Sequence, residues 1–175
     1  MEYIRRILEG NTGLFSYFVN GYAREVYALV VKIVRKPEEA EELTQDVFMK
    51  VFNKLNAFKG ESRFSTWVYR IAYNTAISAV RKKRMEYPVI DERVLNNVPE
   101  EDVDLLLTQQ ENESVLQRLE KAITLLNAEE KALITLYYQQ EMPVKELAEV
   151  TGLSEANVKI KLHRTRKKLY VMVKN

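Results

Sequence analysis

Apolar residues recur at spacings of three and four along most of the chain, the period of helices with one buried face. The pattern predicts helices over residues 14–35, 37–55, 65–84, 113–126, 128–139, 144–151 and 155–173. Glycine (5) and proline (4) are too scarce to break many of them, so the expected fold is all-α. The periodicity fails over 86–112, which holds Pro88, Pro99, the Asn96-Asn97 pair and the acidic run Glu100-Glu101-Asp102. Only 103–107 offers a short helical turn there. The chain therefore reads as two small helical domains, 1–88 and 113–175, joined by an acidic flexible linker at 89–112.

The faces of three of these helices carry the functional signal. In 37–55, Pro37 and the acids Glu38, Glu39, Glu41 and Glu42 suit a helix start. Ala40, Leu43, Val47, Phe48, Val51 and Leu55 form one arc, and Glu38, Glu42, Gln45, Asp46, Met49 and Asn53 the other. A polar arc is usually a solvated one. Met49, with Phe52 nearby, sits oddly on such a face, and an apolar side chain ringed by polar ones marks a partner surface.

In 65–84, Ser65 reads as the N-cap and Phe64 with Tyr69 as a hydrophobic staple. Val68, Ile71, Ala72, Thr75 and Ala79 form the inward stripe. Arg70, Tyr73, Asn74, Ile77, Arg81 and Arg84 point outward, with Lys82 and Lys83 beside them. Aromatic and cationic side chains in alternation, just after the polar loop 56–63, suit unstacked bases and the phosphates between them. The alternative is that Trp67 and Tyr73 are core aromatics, a reading that suits Trp67 at least as well.

The last third is a helix, a turn and a basic helix. Ala148, Gly152 and Val158 fall where a helix-turn-helix needs a small contact, a positive φ and a core anchor. Ser154 caps the final helix. Its Val158, Leu162, Thr165 and Leu169 share a seam, Lys159, Ile160, His163, Arg164 and Lys167 face away, and Lys161, Arg166 and Lys168 flank them. Base-edge readers in front and phosphate clamps at the sides are what a major-groove helix needs.

Charge sharpens this picture. The net charge is only +2, but Lys and Arg exceed Asp and Glu by five over 1–90, fall short by eight over 91–130, and exceed them by five again over 131–175. Two basic blocks around an acidic middle point to nucleic acid. They also predict that the middle shields the blocks by attraction, so that the free chain binds duplex poorly. The absence of cysteine and the presence of one histidine exclude thiolate metal sites, disulfides and most histidine-based catalysis. No bilayer-length apolar run and no secretory layout are visible, which leaves a reducing, cytoplasmic setting as the expectation.

Three strings carry a resemblance to a known family: Ala-Glu-Glu-Leu-Thr-Gln-Asp-Val-Phe at 40–48, Phe-Ser-Thr-Trp-Val-Tyr-Arg-Ile-Ala-Tyr-Asn at 64–74, and Val-Lys-Ile-Lys-Leu-His-Arg-Thr-Arg at 158–166. In this order and with this gap they resemble the extracytoplasmic-function group of bacterial RNA polymerase sigma factors, in the sigma-70 family. The resemblance implies that 1–88 is a region 2 domain docking on the β′ clamp helices of core polymerase through Glu42, Gln45, Asp46, Met49 and Asn53. It implies that Lys59, Ser62, Arg63, Phe64, Trp67, Arg70, Tyr73, Asn74, Arg81 and Arg84 open and read the promoter −10 element. It implies that 113–175 is a region 4 domain reading the −35 element through Ser154, Asn157, Lys159, Ile160, Lys161, His163, Arg164, Lys167 and Lys168. Core polymerase (β′ and β), promoter DNA and an anti-sigma factor, often membrane-anchored in the family, are the implied partners. No cofactor, metal, small-molecule substrate or catalytic residue is implied. Ser78, Pro143 and Ile160 depart from the residues common at those positions. The rival readings are a stand-alone helix-turn-helix regulator, which leaves 40–74 idle, and an enzyme, which lacks the side-chain inventory.

Overall fold

Two isoleucines one helical turn apart, Ile4 and Ile7, are enough to seat a first short helix, α1 (Glu2–Leu8), on an aromatic cluster with Phe18 and Leu55. The computed structural model describes residues 2–83, 86–108 and 113–174. A 3₁₀ turn leads into α2 (Phe15–Val34), which ends at Arg35 in the left-handed region, φ 68°. That conformation costs a residue with a Cβ about 1–2 kcal/mol. The Arg35 guanidinium offsets part of this by donating to the Leu126 carbonyl at 3.4 Å and lying 5.5 Å above the Tyr87 ring. Lys36 is extended, as the residue before proline must be, and Pro37 starts α3 (Pro37–Asn53). After a 3₁₀ turn and the loop to Arg63, α4 (Phe64–Arg81) completes a three-helix bundle with α2 and α3. Its core is Val26, Leu29, Val30, Ile33, Val47, Val51, Val68 and Ala72, all nearly or fully buried.

The stretch expected as linker holds two helices, α5 (Glu92–Asn96) and α6 (Glu100–Thr108). Asp91 caps α5 by accepting from the Arg93 amide at 2.8 Å. Leu95, Val98, Val103 and Leu106 are buried, and both helices lie on the last helix of the chain. Each apolar pair is a single i, i+3 step, too short to register as periodicity. Then follow α7 (Glu113–Leu125), α8 (Ala128–Ile134), a π turn (Thr135–Gln139), α9 (Val144–Thr151) and α10 (Glu155–Lys174). Asn127 and Glu130 form a reciprocal capping box at the start of α8, at 2.9 and 3.1 Å. Among the described residues no helix is long and apolar enough to cross a membrane.

The two halves pack on each other. Buried side chains run without a break from the first bundle into Leu133, Leu136, Leu147 and Val150 of the second half, because α4 is enclosed on one side by α2 and α3 and on the other by α8 and α9. Lys131 of α8 is 2% exposed in this packing. Burial, with Arg35 and Lys32 of α2 nearby, pulls its pKa down to about 8. Its charge therefore opposes closure below pH 8. Between about 8 and 10.5 the folded chain sheds that proton while the unfolded chain keeps it, so stability contributed here rises with pH. Lys131→Met should stabilise the full chain at pH 7 by about 2 kcal/mol and remove that part of the rise. Urea midpoints at pH 7 and pH 10 check both; a destabilised variant at pH 7 would refute the assignment.

Candidate nucleic-acid and partner interfaces

On α3 the sequence pattern translates directly into a surface. Ala40, Val47, Phe48 and Val51 turn inward, while Glu42, Gln45, Asp46, Met49 and Asn53 are all exposed, Met49 by 61%. Neither Glu42 nor Asp46 forms an ion pair among the described residues, so this face carries unspent charge around an apolar centre. Phe52 does not belong to it. The ring turns under and meets Phe15 edge-on at 5.1 Å, with Leu55 in the same satellite core.

The loop before α4 and the first turns of the helix make a walled recess. Phe58 meets Phe64 at 5.2 Å and Trp67 at 5.3 Å, and Phe64 lies 5.7 Å from Trp67. Beside this cluster is a cavity of about 520 Å³ lined by Lys59, Ser62, Trp67 and Arg70, with Glu149 of α9 on its far side. A second cavity, about 380 Å³, lies across Trp67 and Arg70 and takes in Lys50, Lys54, Asn74 and Ser78. Aromatic walls with cations at the rim can hold extruded bases and their phosphates. Arg63, Arg70, Asn74 and Arg81 are exposed, as expected. Arg84 lies outside the described residues.

Three expectations for α4 are corrected. Ser65 is inside the helix; Arg63 occupies the cap position and no side chain caps it. Tyr69 is no staple: it is buried, and its hydroxyl donates to Gln140 Oε1 at 2.9 Å. Tyr73 and Ile77 are buried too, at 7% and 5%, rather than outward. The second half covers the part of the expected outer face that holds Tyr73 and Ile77, while Arg70, Asn74 and Arg81 stay exposed. Thr66 donates to Glu146 Oε2 at 2.7 Å, Arg63 lies 3.4 Å from the same carboxylate, and Arg81 lies 3.4 Å from Glu129. Burial pushes the Tyr69 and Tyr73 hydroxyls up to about 12, with Glu25 reinforcing the first and Glu129 the second. Both stay protonated donors at neutral pH.

Across Gly152, at φ 74°, α9 turns into α10, and Ser154 Oγ accepts from the Asn157 amide at 3.2 Å. Val158, Leu162, Thr165 and Leu169 are buried as a seam. Asn157, Lys159, Ile160, His163 and Arg164 are exposed, Ile160 by 56%. Lys167 and Lys168 are not free clamps. Lys168 pairs with Glu130 at 2.5 Å and Lys167 with Glu100 at 3.4 Å, their side chains only 19% and 13% exposed. Lys161 pairs with Glu129 at 3.0 Å. Burial raises the Glu129 carboxyl, but hydrogen bonds and charge from Lys161 and Arg81 outweigh it and hold it below its usual value. Of the acids that meet these cations, Glu100 belongs to the acidic run noted in the sequence, whereas Glu92, Asp104, Glu129, Glu130 and Glu146 were not singled out there. Glu100 and Asp104, four apart, and the capping-box signature at 127–130 are the signals that could have flagged some of them.

The model of sigma-70 region 2 matches residues 18–86 and that of sigma-70 region 4 matches 116–169, together more than two thirds of the chain. The chain is 26% identical to the ECF RNA polymerase sigma factor SigW of Bacillus subtilis, over 95% of this chain and 92% of that one. It is 28% identical to the ECF RNA polymerase sigma-E factor of Haemophilus influenzae, over 93% and 89%. Two solved structures share the fold. The sigma factor RpoE of Bartonella quintana, crystallised with the anti-sigma factor NepR, aligns with a TM-score of 0.67 at 22% identity, covering 91% of this chain and 96% of that one. CnrH in complex with the cytosolic domain of CnrY aligns at 0.67 and 20%, covering 98% and 95%.

Proposed function

As the chain belongs to the sigma-70 family of RNA polymerase initiation factors, in its extracytoplasmic-function group, we propose on that premise how its surfaces divide the work. The chain binds core RNA polymerase and directs it to promoters; the family consists of regulators without catalysis of their own. The outward face of α3, centred on Asp46 and Met49, docks on core polymerase. The recess formed by Lys59, Ser62, Phe64, Trp67, Arg70 and Asn74 takes the strand extruded at the −10 element. The front of α10, from Asn157 to Arg164, reads the −35 duplex, with Ile160 suited to a thymine methyl. An anti-sigma protein, as in the two structural neighbours, holds the chain silent in the cytoplasm.

The observation that carries this reading is the presence in one chain, in order, of both sigma regions, each with exposed polar and cationic residues on its candidate face. The experiment is reconstitution. The purified chain should co-elute with core polymerase, and the mixture should start transcripts at discrete sites on a panel of genomic fragments where core alone does not. Duplex binding without co-elution would instead establish the stand-alone regulator.

A further inference from the structure

The recognition helix is not idle in this structure; its phosphate clamps are occupied by the chain's own carboxylates. Glu92 of α5 reaches Arg164 at 2.5 Å. Glu100 of α6 lies 3.2 Å from His163 and 3.4 Å from Lys167. Asp104, one turn on, pairs with Arg166, and Asp102 accepts from the Tyr170 hydroxyl at 3.0 Å. The partners on α10 run from His163 to Tyr170, about 10 Å along the helix at 1.5 Å per residue. Leu95, Val98, Val103 and Leu106, all buried, fix the two short helices in place. Asn157, Lys159 and Ile160 at the front of α10 stay exposed and outside these pairs.

We infer that α5 and α6 form an intramolecular lock on α10, in which Glu92, Glu100 and Asp104 occupy the positions of DNA phosphates. The lock rests on the reading of α10 as the −35 helix and adds its regulation. It ties up His163, Arg164, Arg166 and Lys167 and leaves Asn157, Lys159 and Ile160 open. Because phosphate contacts dominate affinity, that suffices to keep the free chain off DNA. Exposed ion pairs are individually weak, so the lock is held largely by its apolar anchors and opens at modest cost. Salt should weaken the ion pairs without releasing the apolar anchors.

The test uses the full chain and a fluorescein-labelled 30-base-pair duplex of random sequence. Glu92→Gln/Glu100→Gln/Asp104→Asn is compared with Glu101→Gln/Glu113→Gln/Glu120→Gln, which removes the same charge from exposed carboxylates that form no ion pair with α10. The first variant should bind about tenfold tighter than the second near 0.1 M salt, with a plot of log K against log salt steeper by about 3, as expected for three or so newly available phosphate contacts. The advantage should shrink as salt rises. In the wild-type chain, saturating duplex should speed amide exchange over 92–106; unchanged exchange there would refute the lock. Equal affinities of the two variants, with Lys159→Ala still impairing promoter use by holoenzyme, would overturn the lock alone. A gain that survives Arg164→Ala and Lys167→Ala in the same background would overturn both the lock and the reading of α10.

Discussion

Asp46→Lys is expected to weaken binding of the chain to core polymerase by about 2–5 kcal/mol, a loss of about 30-fold or more in affinity. The size follows from geometry. Asp46 sits between Glu42 and Met49 on the exposed arc of α3, directly behind a fully buried Val47, so its side chain cannot turn inward. It has no internal cation to lose, so the substitution should change folding stability by no more than about 0.5 kcal/mol. At a desolvated interface the same change leaves the partner's donor unpaired and brings two like charges together. Met49 supplies the apolar contact that keeps water out of such a pair. A fluorescence titration against core polymerase reads the loss, with urea midpoints as the control. A folded variant with unchanged affinity would show that core polymerase docks elsewhere.

This face is free of ion pairs among the described residues, whereas groups on both proposed DNA surfaces are partly tied up by carboxylates of the chain itself. Glu146 alone takes Thr66 and Arg63 from the −10 recess, Glu149 lines that recess, and Gln140 holds Tyr69. Acids of α5 and α6 take the clamps of α10. On the proposed reading, core polymerase engages α3 first and separation of the two halves then frees the groups proposed to read DNA. Lys131, buried with Lys32 and Arg35 nearby, weakens the closed packing at neutral pH.

Much of this was legible in the sequence, for a physical reason in each case. Helices with one wet face announce themselves by period, so α2, α3, α9 and α10 lie within a few residues of their expected bounds, and the exposed arcs came out correctly for α3 and, apart from the half-buried Lys167, for α10. Proline and glycine carry their own geometry: Pro37 opens α3 and Gly152 supplies the positive φ. Periodicity failed where a helix is buried on two sides. It assigned Tyr73 and Ile77 to solvent because nothing local records that α8 and α9 lie over α4. It failed again where the buried set is only two residues, as with Ile4 and Ile7 in α1 or Leu95 and Val98 beside α5. Charge segregation foresaw that the acidic middle meets the basic blocks. Which carboxylate meets which cation depended on docking, and the recess beside α4 turned out to be bordered by Glu146 and Glu149 of α9 instead.

The two DNA faces should separate by mechanism in a single set of promoter assays with reconstituted holoenzyme. Lys159 is exposed on the front of α10, outside every ion pair described for that helix, so Lys159→Ala removes a duplex contact and little else. It should relax discrimination at one or two −35 base pairs by about 1–3 kcal/mol and reduce closed-complex formation. Asn74 is exposed on α4 beside Arg70, whose carbonyl accepts from its side chain at 2.9 Å, and it faces the cavity that Trp67 walls. Capture of an extruded base stabilises only the melted state, by about 1–3 kcal/mol per stacked base. Asn74→Ala should therefore leave closed-complex formation nearly intact and slow opening. Arg63→Ala should act at the same step, with an added effect: it removes one of the two groups that Glu146 holds, and so loosens the closed free chain. A template already melted across the −10 element removes the opening cost for every variant. It should restore much of the Asn74→Ala rate and none of the −35 discrimination lost in Lys159→Ala. If the bubble rescued both variants alike, the division of duplex reading to α10 and strand capture to α4 would be wrong, because only a shared step can be bypassed by one change in the template.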